Sequence, residues 1–217
     1  MRQRAAARLG RYLLATTMLA RAAPSARLSR VAWSPRLFAP RALASGADAA
    51  GVGAVTDEDF MRTALAHARF AYDADEVPVG AVLVDMATST VLAAAGNCVE
   101  ASHDATAHAE ILCMRRAAAA RQSWRLMDCT LYCTLEPCPM CTAALRAFRI
   151  GRLVYGAPSE RLGAISGSMR SDSRHPYHAV MSVRGGVLAD ECAAMLQGFF
   201  QRRRQEPAGE RMERQPT

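Results

Sequence analysis

The chain has 217 residues, 51% of them hydrophobic, which is enough for one domain with a sizeable core. Its formal charge of +7 does not describe that domain. Residues 1–47 carry nine arginines and no acid, whereas 48–217 carry 18 arginines against 20 acids, a formal charge of −2. A globally basic nucleic-acid-binding surface is therefore excluded, and any RNA contact has to be a local patch. Lysine is absent, so the arginine count by itself identifies nothing. The cysteines, at 98, 113, 129, 133, 138, 141 and 192, are odd in number and lack the spacing of a disulfide framework. They suit a reducing compartment.

In chain order, 1–47 is rich in Ala, Arg and Ser and free of acids, the composition of an organellar transit peptide. Its apolar run, Tyr12 to Ala20, is too short to span a bilayer, and no other segment is apolar enough, so no membrane partner is expected. Residues 48–56 read as a linker. Thr56-Asp57-Glu58-Asp59 marks a helix start, with Phe60, Ala64, Leu65 and Ala68 following on one face. Val79 to Asp85 reads as a buried strand and Thr90 to Ala95 as its partner. A helix is predicted over Ala107 to Ala120, capped by Thr106, and a central strand over Cys129 to Leu135. A helix over Cys138 to Phe148 and a strand over Arg152 to Tyr155 follow. The Ser-, Gly- and Pro-rich stretch 157–179 reads as loop, and Val180 to Arg184 as a short strand. Leu188 to Arg204 is a last amphipathic helix, and 206–217 a disordered tail. Strands alternating with helices predict an α/β fold, a three-layer α/β/α sandwich, over 57–205. Cys113, Cys129, Cys133 and Cys192 lie among apolar residues and read as core.

The chemistry concentrates in His108-Ala109-Glu110 and Pro137-Cys138-Pro139-Met140-Cys141. Each segment sits at a predicted helix start, with Thr106 ahead of one and Pro137 as the first-turn proline of the other. Cysteines three apart on a helix share a face, and the positive helix end favours their thiolate form. His108, Cys138 and Cys141 can then hold one Zn2+, leaving a fourth position for catalysis. A structural zinc needs a fourth protein ligand, and His67, His103, His175 and His178 lack ligand-like spacing with this set. Glu110 falls two residues past the histidine, near enough to move protons without ligating. Zinc lowers the pKa of a bound water to ~7, which suits hydrolysis. A lone C-x-x-C is weak as a signal, but the pair with both prolines is strong.

H-x-E paired with P-C-x-x-C is the pattern of zinc nucleobase deaminases. From about Asp57 to Glu206 the chain resembles the bacterial tRNA-specific adenosine deaminases and their plastid relatives. The likeness runs through Glu76 to Val82, Asn97, His103 to Glu110, Thr130 to Tyr132, Leu135 to Cys138, Gly186 to Cys192, Phe199-Phe200 and Arg202 to Glu206. It implies a fold of the cytidine deaminase type, and hydrolytic conversion of the wobble adenosine of a tRNA, typically an arginine tRNA, to inosine. It implies a homodimer, with Glu110 as the catalytic proton carrier. It also implies that Asn97 bonds a flipped adenine, that the Ala109 N–H meets the group under attack and that Val79 lines the pocket. Asn97 after Gly96 is equally comfortable as a turn residue. His103 and Asp104 match a loop that holds RNA, or form a solvated loop. Phe199, Phe200 and Arg202, Arg203 and Arg204 match a helix laid against the anticodon stem-loop, a chemistry suited to unstacked bases and phosphates. Otherwise the phenylalanines pack inward and the arginines complement the helix end.

The chain departs from the bacterial pattern at Pro176, which is followed by Tyr177-His178-Ala179 instead of an Asn-His-Arg element. Ser159 to Gly163 resembles the catalytic subunit of the eukaryotic heterodimeric tRNA deaminase, which leaves homodimer and heterodimer both open. Two other readings remain: a free nucleobase or nucleoside deaminase acting on guanine or cytosine, and a non-catalytic RNA-binding subunit. The second would be expected to lack Glu110. An arginine tRNA substrate favours the chloroplast, with the mitochondrion as alternative.

Overall fold

The computed structural model describes residues 55–165 and 182–206. Residues 1–47, read above as a transit peptide, most of the Pro176 loop and the polar tail lie outside them. The elements run α1 (Asp57–Asp73), β1 (Gly80–Asp85), β2 (Val91–Gly96), α2 (Val99–Ser102), α3 (Ala109–Arg121), β3 (Cys129–Leu135), α4 (Pro139–Ala147), β4 (Arg152–Ala157), β5 (Ser182–Arg184) and α5 (Ala189–Gln205). No helix among the described residues is long and apolar enough to cross a membrane.

The strands form one mixed sheet in the order β2-β1-β3-β4-β5. β1 runs antiparallel to both β2 and β3. β3, β4 and β5 are parallel. Because strand side chains alternate, each strand feeds two cores. Ala81, Leu83, Leu131, Cys133 and Leu153 face α3 and α4 and pack with Cys113, Met114 and Leu145. Val82, Val84, Tyr132 and Val154 face the other way, onto α1 and α5, and pack with Phe60, Met61 and Leu65. The result is the three-layer α/β/α sandwich. Gly80 permits close packing of α1, since a Cβ there would run into the Ala64 carbonyl. Cys113, Cys129, Cys133 and Cys192 are buried free thiols.

The start of α1 follows the sequence. Thr56 and Asp59 form a reciprocal capping box, and Phe60, Ala64, Leu65 and Ala68 are buried. The start of α3 does not. Thr106 is no cap, because its hydroxyl and its N–H both bond Asp104 Oδ1, at 2.7 and 2.8 Å. The chain turns at Ala105 and Thr106, His108 takes the N-cap position in an extended conformation, and the helix begins at Ala109. Likewise Cys138, not Pro137, precedes the first turn of α4, and Pro139 is the first-turn proline. The four-residue α2 was not foreseen. β1 begins one residue after Val79, and β2 is shifted by one residue from the predicted span.

Asp57 joins elements that are distant in sequence. Its carboxylate accepts from Tyr132 Oη at 2.8 Å, from both Arg152 terminal nitrogens at 2.8 and 2.7 Å, and from Arg184 at 2.6 Å. The Arg152 bonds, helped by Tyr132 and Arg184 and opposed by burial, hold its pKa down at about 2 from 3.8. A depressed carboxyl pKa stabilises the fold above the unfolded value and loses that stabilisation as pH falls through the folded one. The difference corresponds to about 2 kcal/mol at neutral pH. Asp57→Asn should therefore lower stability at pH 7 by about 2 kcal/mol and lose part of the acid sensitivity between about pH 4 and 2. Thermal melts of both proteins across that range check this. An unchanged pH profile in the variant would show that Asp57 does not carry the effect.

Candidate active site

The sheet's C-terminal edge carries the site, at the ends of β2 and β3, where open α/β sheets bind ligands. α3 and α4 bring their N-termini together there. His108 Nδ1 lies 3.4 Å from Cys141 Sγ and 3.7 Å from Cys138 Sγ. The three ligand atoms lie within 4.8 Å of one another, so one ion can touch all three. One nitrogen and two sulfurs form a donor set that suits zinc. Cys141 is buried, and His108 and Cys138 are half-buried.

The electrostatics favour a thiolate at Cys138 and not at Cys141, whose thiol the bond to Cys138 and then burial push up. The Cys141 thiol and the His108 imidazole both bond the Cys138 sulfur and hold its pKa well below the usual thiol range, against the effect of burial. The same bond to Cys138 raises the His108 pKa. The α4 N-terminus adds its positive end.

Glu110 stands in the first turn of α3, 4% exposed. Its Oε2 is buried with no hydrogen-bond partner. Burial raises its pKa, while its own backbone N–H, His108 and Cys141 oppose the rise. An unsatisfied buried carboxylate oxygen is costly, and such atoms concentrate where chemistry is done. This carboxylate can take up and release a proton beside the His/Cys/Cys group. Ala109 is the first residue of α3, so its N–H belongs to the first turn, which has no intrahelical acceptor.

The remaining sequence candidates fall in several places. Val79 stands just before β1, and Asn97, His103 and Asp104 lie between β2 and α3. Val79 is 8% exposed and accepts at its carbonyl from the Asn97 N–H, at 2.9 Å. Asn97 Nδ2 donates to Glu76 Oε2 at 3.1 Å. His103 is exposed and left-handed (φ 51°) after α2, and Asp104 shapes the turn before His108. The arginines lie at the end of α5 instead. Arg202 bonds Asp75 Oδ1 at 2.9 Å and sits 4.4 Å over the Tyr72 ring. Arg203 bonds the Asp75 carbonyl at 2.9 Å. Arg204 is exposed. Phe199 is 2% exposed and packed on Tyr72, and Phe200 is 44% exposed.

Two carboxylates that sequence reasoning passed over organise the loops beside the cluster. Glu76, 2% exposed, accepts from Asn97 and from the Val99 and Ala101 N–H groups. Glu136, also 2% exposed, accepts from the N–H groups of Ser159 and Ile165, at 3.0 and 3.1 Å. A side chain at Gly163 would collide with Glu136. A sequence signal existed. Glu136 lies between the apolar end of β3 and Pro137, and Glu76 stands two residues before Pro78 and four before β1, places where burial demands a partner.

Residues 54–157 match the family model of the cytidine and deoxycytidylate deaminase zinc-binding region. The chain is 44% identical over 159 residues to the tRNA-specific adenosine deaminase of Haemophilus influenzae, covering 73% of this chain and 91% of that protein. It is 47% identical over 163 residues to a chloroplastic tRNA adenine deaminase of Arabidopsis thaliana, covering 68% of this chain but 12% of that much longer protein. A structure solved in a study of A-to-I editing by tRNA deaminases at the wobble position of transfer RNA is 44% identical, with a TM-score of 0.59, covering 63% of this chain and 98% of that one. A guanine deaminase from Nitrosomonas europaea is 25% identical, with a TM-score of 0.57, covering 68% of this chain and 86% of that one. With 44% identity over nine-tenths of a bacterial relative, the chain belongs to the tRNA-specific adenosine deaminase family.

Proposed function

We propose that this protein hydrolyses the wobble adenosine of a tRNA anticodon to inosine, using one zinc ion held by His108, Cys138 and Cys141. The observation that carries the reading is Glu110, a buried carboxylate with an unpartnered oxygen beside a three-ligand soft-donor cluster. The reaction adds water at C6 of the purine, breaks the C6–N bond and releases ammonia. When bound, zinc supplies Lewis-acid activation of the attacking water. Glu110 accepts one proton of that water and delivers it to the ring nitrogen, then takes the remaining hydroxyl proton and delivers it to the amine, which leaves as ammonia as the C6 carbonyl forms. Val79 and Asn97 frame the base. The Ala109 N–H faces the group under attack.

RNA contact falls on His103, Asp104, Phe200 and Arg204. Arg202 and Arg203 belong to it only if phosphate competes with Asp75. We assign 1–47 to organellar import, and to the chloroplast in view of the Arabidopsis relative. An arginine tRNA substrate and a homodimer complete the proposal, on the strength of the family resemblance. The likeness to guanine deaminase supports a second reading, a free-base deaminase on the same scaffold.

Metal analysis should find near one zinc per chain, and Cys138→Ser should lose most of it. Full retention would remove Cys138 from the ligand set. Glu110→Gln should keep zinc and melting temperature and lose ~10²–10⁴-fold in turnover of an anticodon stem-loop. Wild-type turnover would place the proton carrier elsewhere. Arg204→Ala should flatten the salt dependence of stem-loop binding by about one phosphate contact. Arg203→Ala should instead lower the melting temperature. A salt slope that responds to neither would remove the α5 end from the RNA interface.

A further inference from the structure

We propose that Glu76 is a positioning residue that fixes which edge of the Asn97 amide faces the substrate base. The proposal rests on the deaminase reading of the site. An asparagine amide has two ends of similar size, one a donor and one an acceptor, and nothing in its shape decides which end points where. Glu76 decides it here. Its carboxylate only accepts, so the amide must turn Nδ2 towards it, at 3.1 Å. Oδ1 and the second Nδ2 hydrogen then face away from Glu76. An asparagine so held offers one acceptor and one donor, the pair that matches the N6–H and N7 of adenine.

The Glu76 carboxylate is itself held. Its Oε2 also accepts from the Val99 N–H at 3.1 Å, and Oε1 from the Ala101 N–H at 2.8 Å. Three donors thus converge on two oxygens of one side chain that is 2% exposed. The turn that presents Glu76 is fastened from the far side. Asp75, left-handed at φ 63°, is gripped by Arg202 and Arg203 of α5. The end of α5 therefore supports, through Asp75 and Glu76, the residue that meets the base.

Glutamine at 76 is close in shape but carries one acceptor oxygen where three donors meet. Either Asn97 turns over or a backbone N–H loses its partner. A double-mutant cycle reads this out, using kcat/KM on an anticodon stem-loop, with zinc content and melting temperature measured alongside. Glu76→Gln and Asn97→Ala should each lower kcat/KM by at least about tenfold with zinc retained. The double variant should be no slower than the slower single variant, because Glu76 acts through Asn97. If the two effects multiply, Glu76 acts independently and the proposal fails. If Glu76→Gln does not fold, Glu76→Asp replaces it in the same cycle, keeping the charge but withdrawing it from Asn97. A native protein inactive on the stem-loop would overturn the reading of the site and this proposal with it. An active native protein with multiplying losses would overturn this proposal alone.

Discussion

Two helix N-termini have to meet at one point, and most of the structure is arranged around that requirement. His108 follows a turn and Cys138 follows β3, and both stand in extended conformation at N-cap positions. An N-cap residue points its side chain past the helix end, where the dipole favours negative charge. Two such ends, facing each other, concentrate one imidazole and two sulfurs within 4.8 Å. The antiparallel β2–β1 and β1–β3 pairs bring the segments together, because the chain after β2 leads to His108 and β3 runs directly into Glu136, Pro137 and Cys138.

Three carboxylates are buried near this edge, and their differences separate support from chemistry. Burying an ionised carboxylate is expensive unless hydrogen bonds replace water. Glu76 and Glu136 receive such bonds from loop backbone. They spend their charge on holding loops still. Glu110 keeps one oxygen without a partner, and burial raises its pKa. The loops held by Glu76 and Glu136 are what the rest of the site depends on for its precision, since a reacting group misplaced by about 1 Å can cost 10²-fold in rate.

Local chemistry was legible in the sequence, and long-range chemistry was not. The cap of α1 is spelled out by Thr56 and Asp59, three residues apart, and the structure follows it. Thr106 looked like the same signal. Its hydroxyl went to Asp104 instead, which turns the chain and delays the helix until Ala109. The cluster of His108, Cys138 and Cys141 could be picked out by residue type. Glu76 and Glu136 sit in apolar surroundings near a proline that mark them as buried, but their partners, loop backbone N–H groups and the Asn97 amide, are set by the fold and not by residue type. The arginines of α5 read as an RNA patch, yet Arg202 and Arg203 lie on Asp75, 127 and 128 residues away in sequence. That pairing becomes visible only once α1 and α5 lie side by side on the sheet.

The central claim is that the site acts on an adenosine displayed by folded RNA. The most direct measurement is ammonia release from an anticodon stem-loop with adenosine at the wobble position, set beside free adenosine, guanine and cytosine under identical conditions. The expected result is ammonia from the stem-loop, with inosine at the wobble position, and none from the free compounds. Ammonia from free guanine or cytosine with an untouched stem-loop would contradict it.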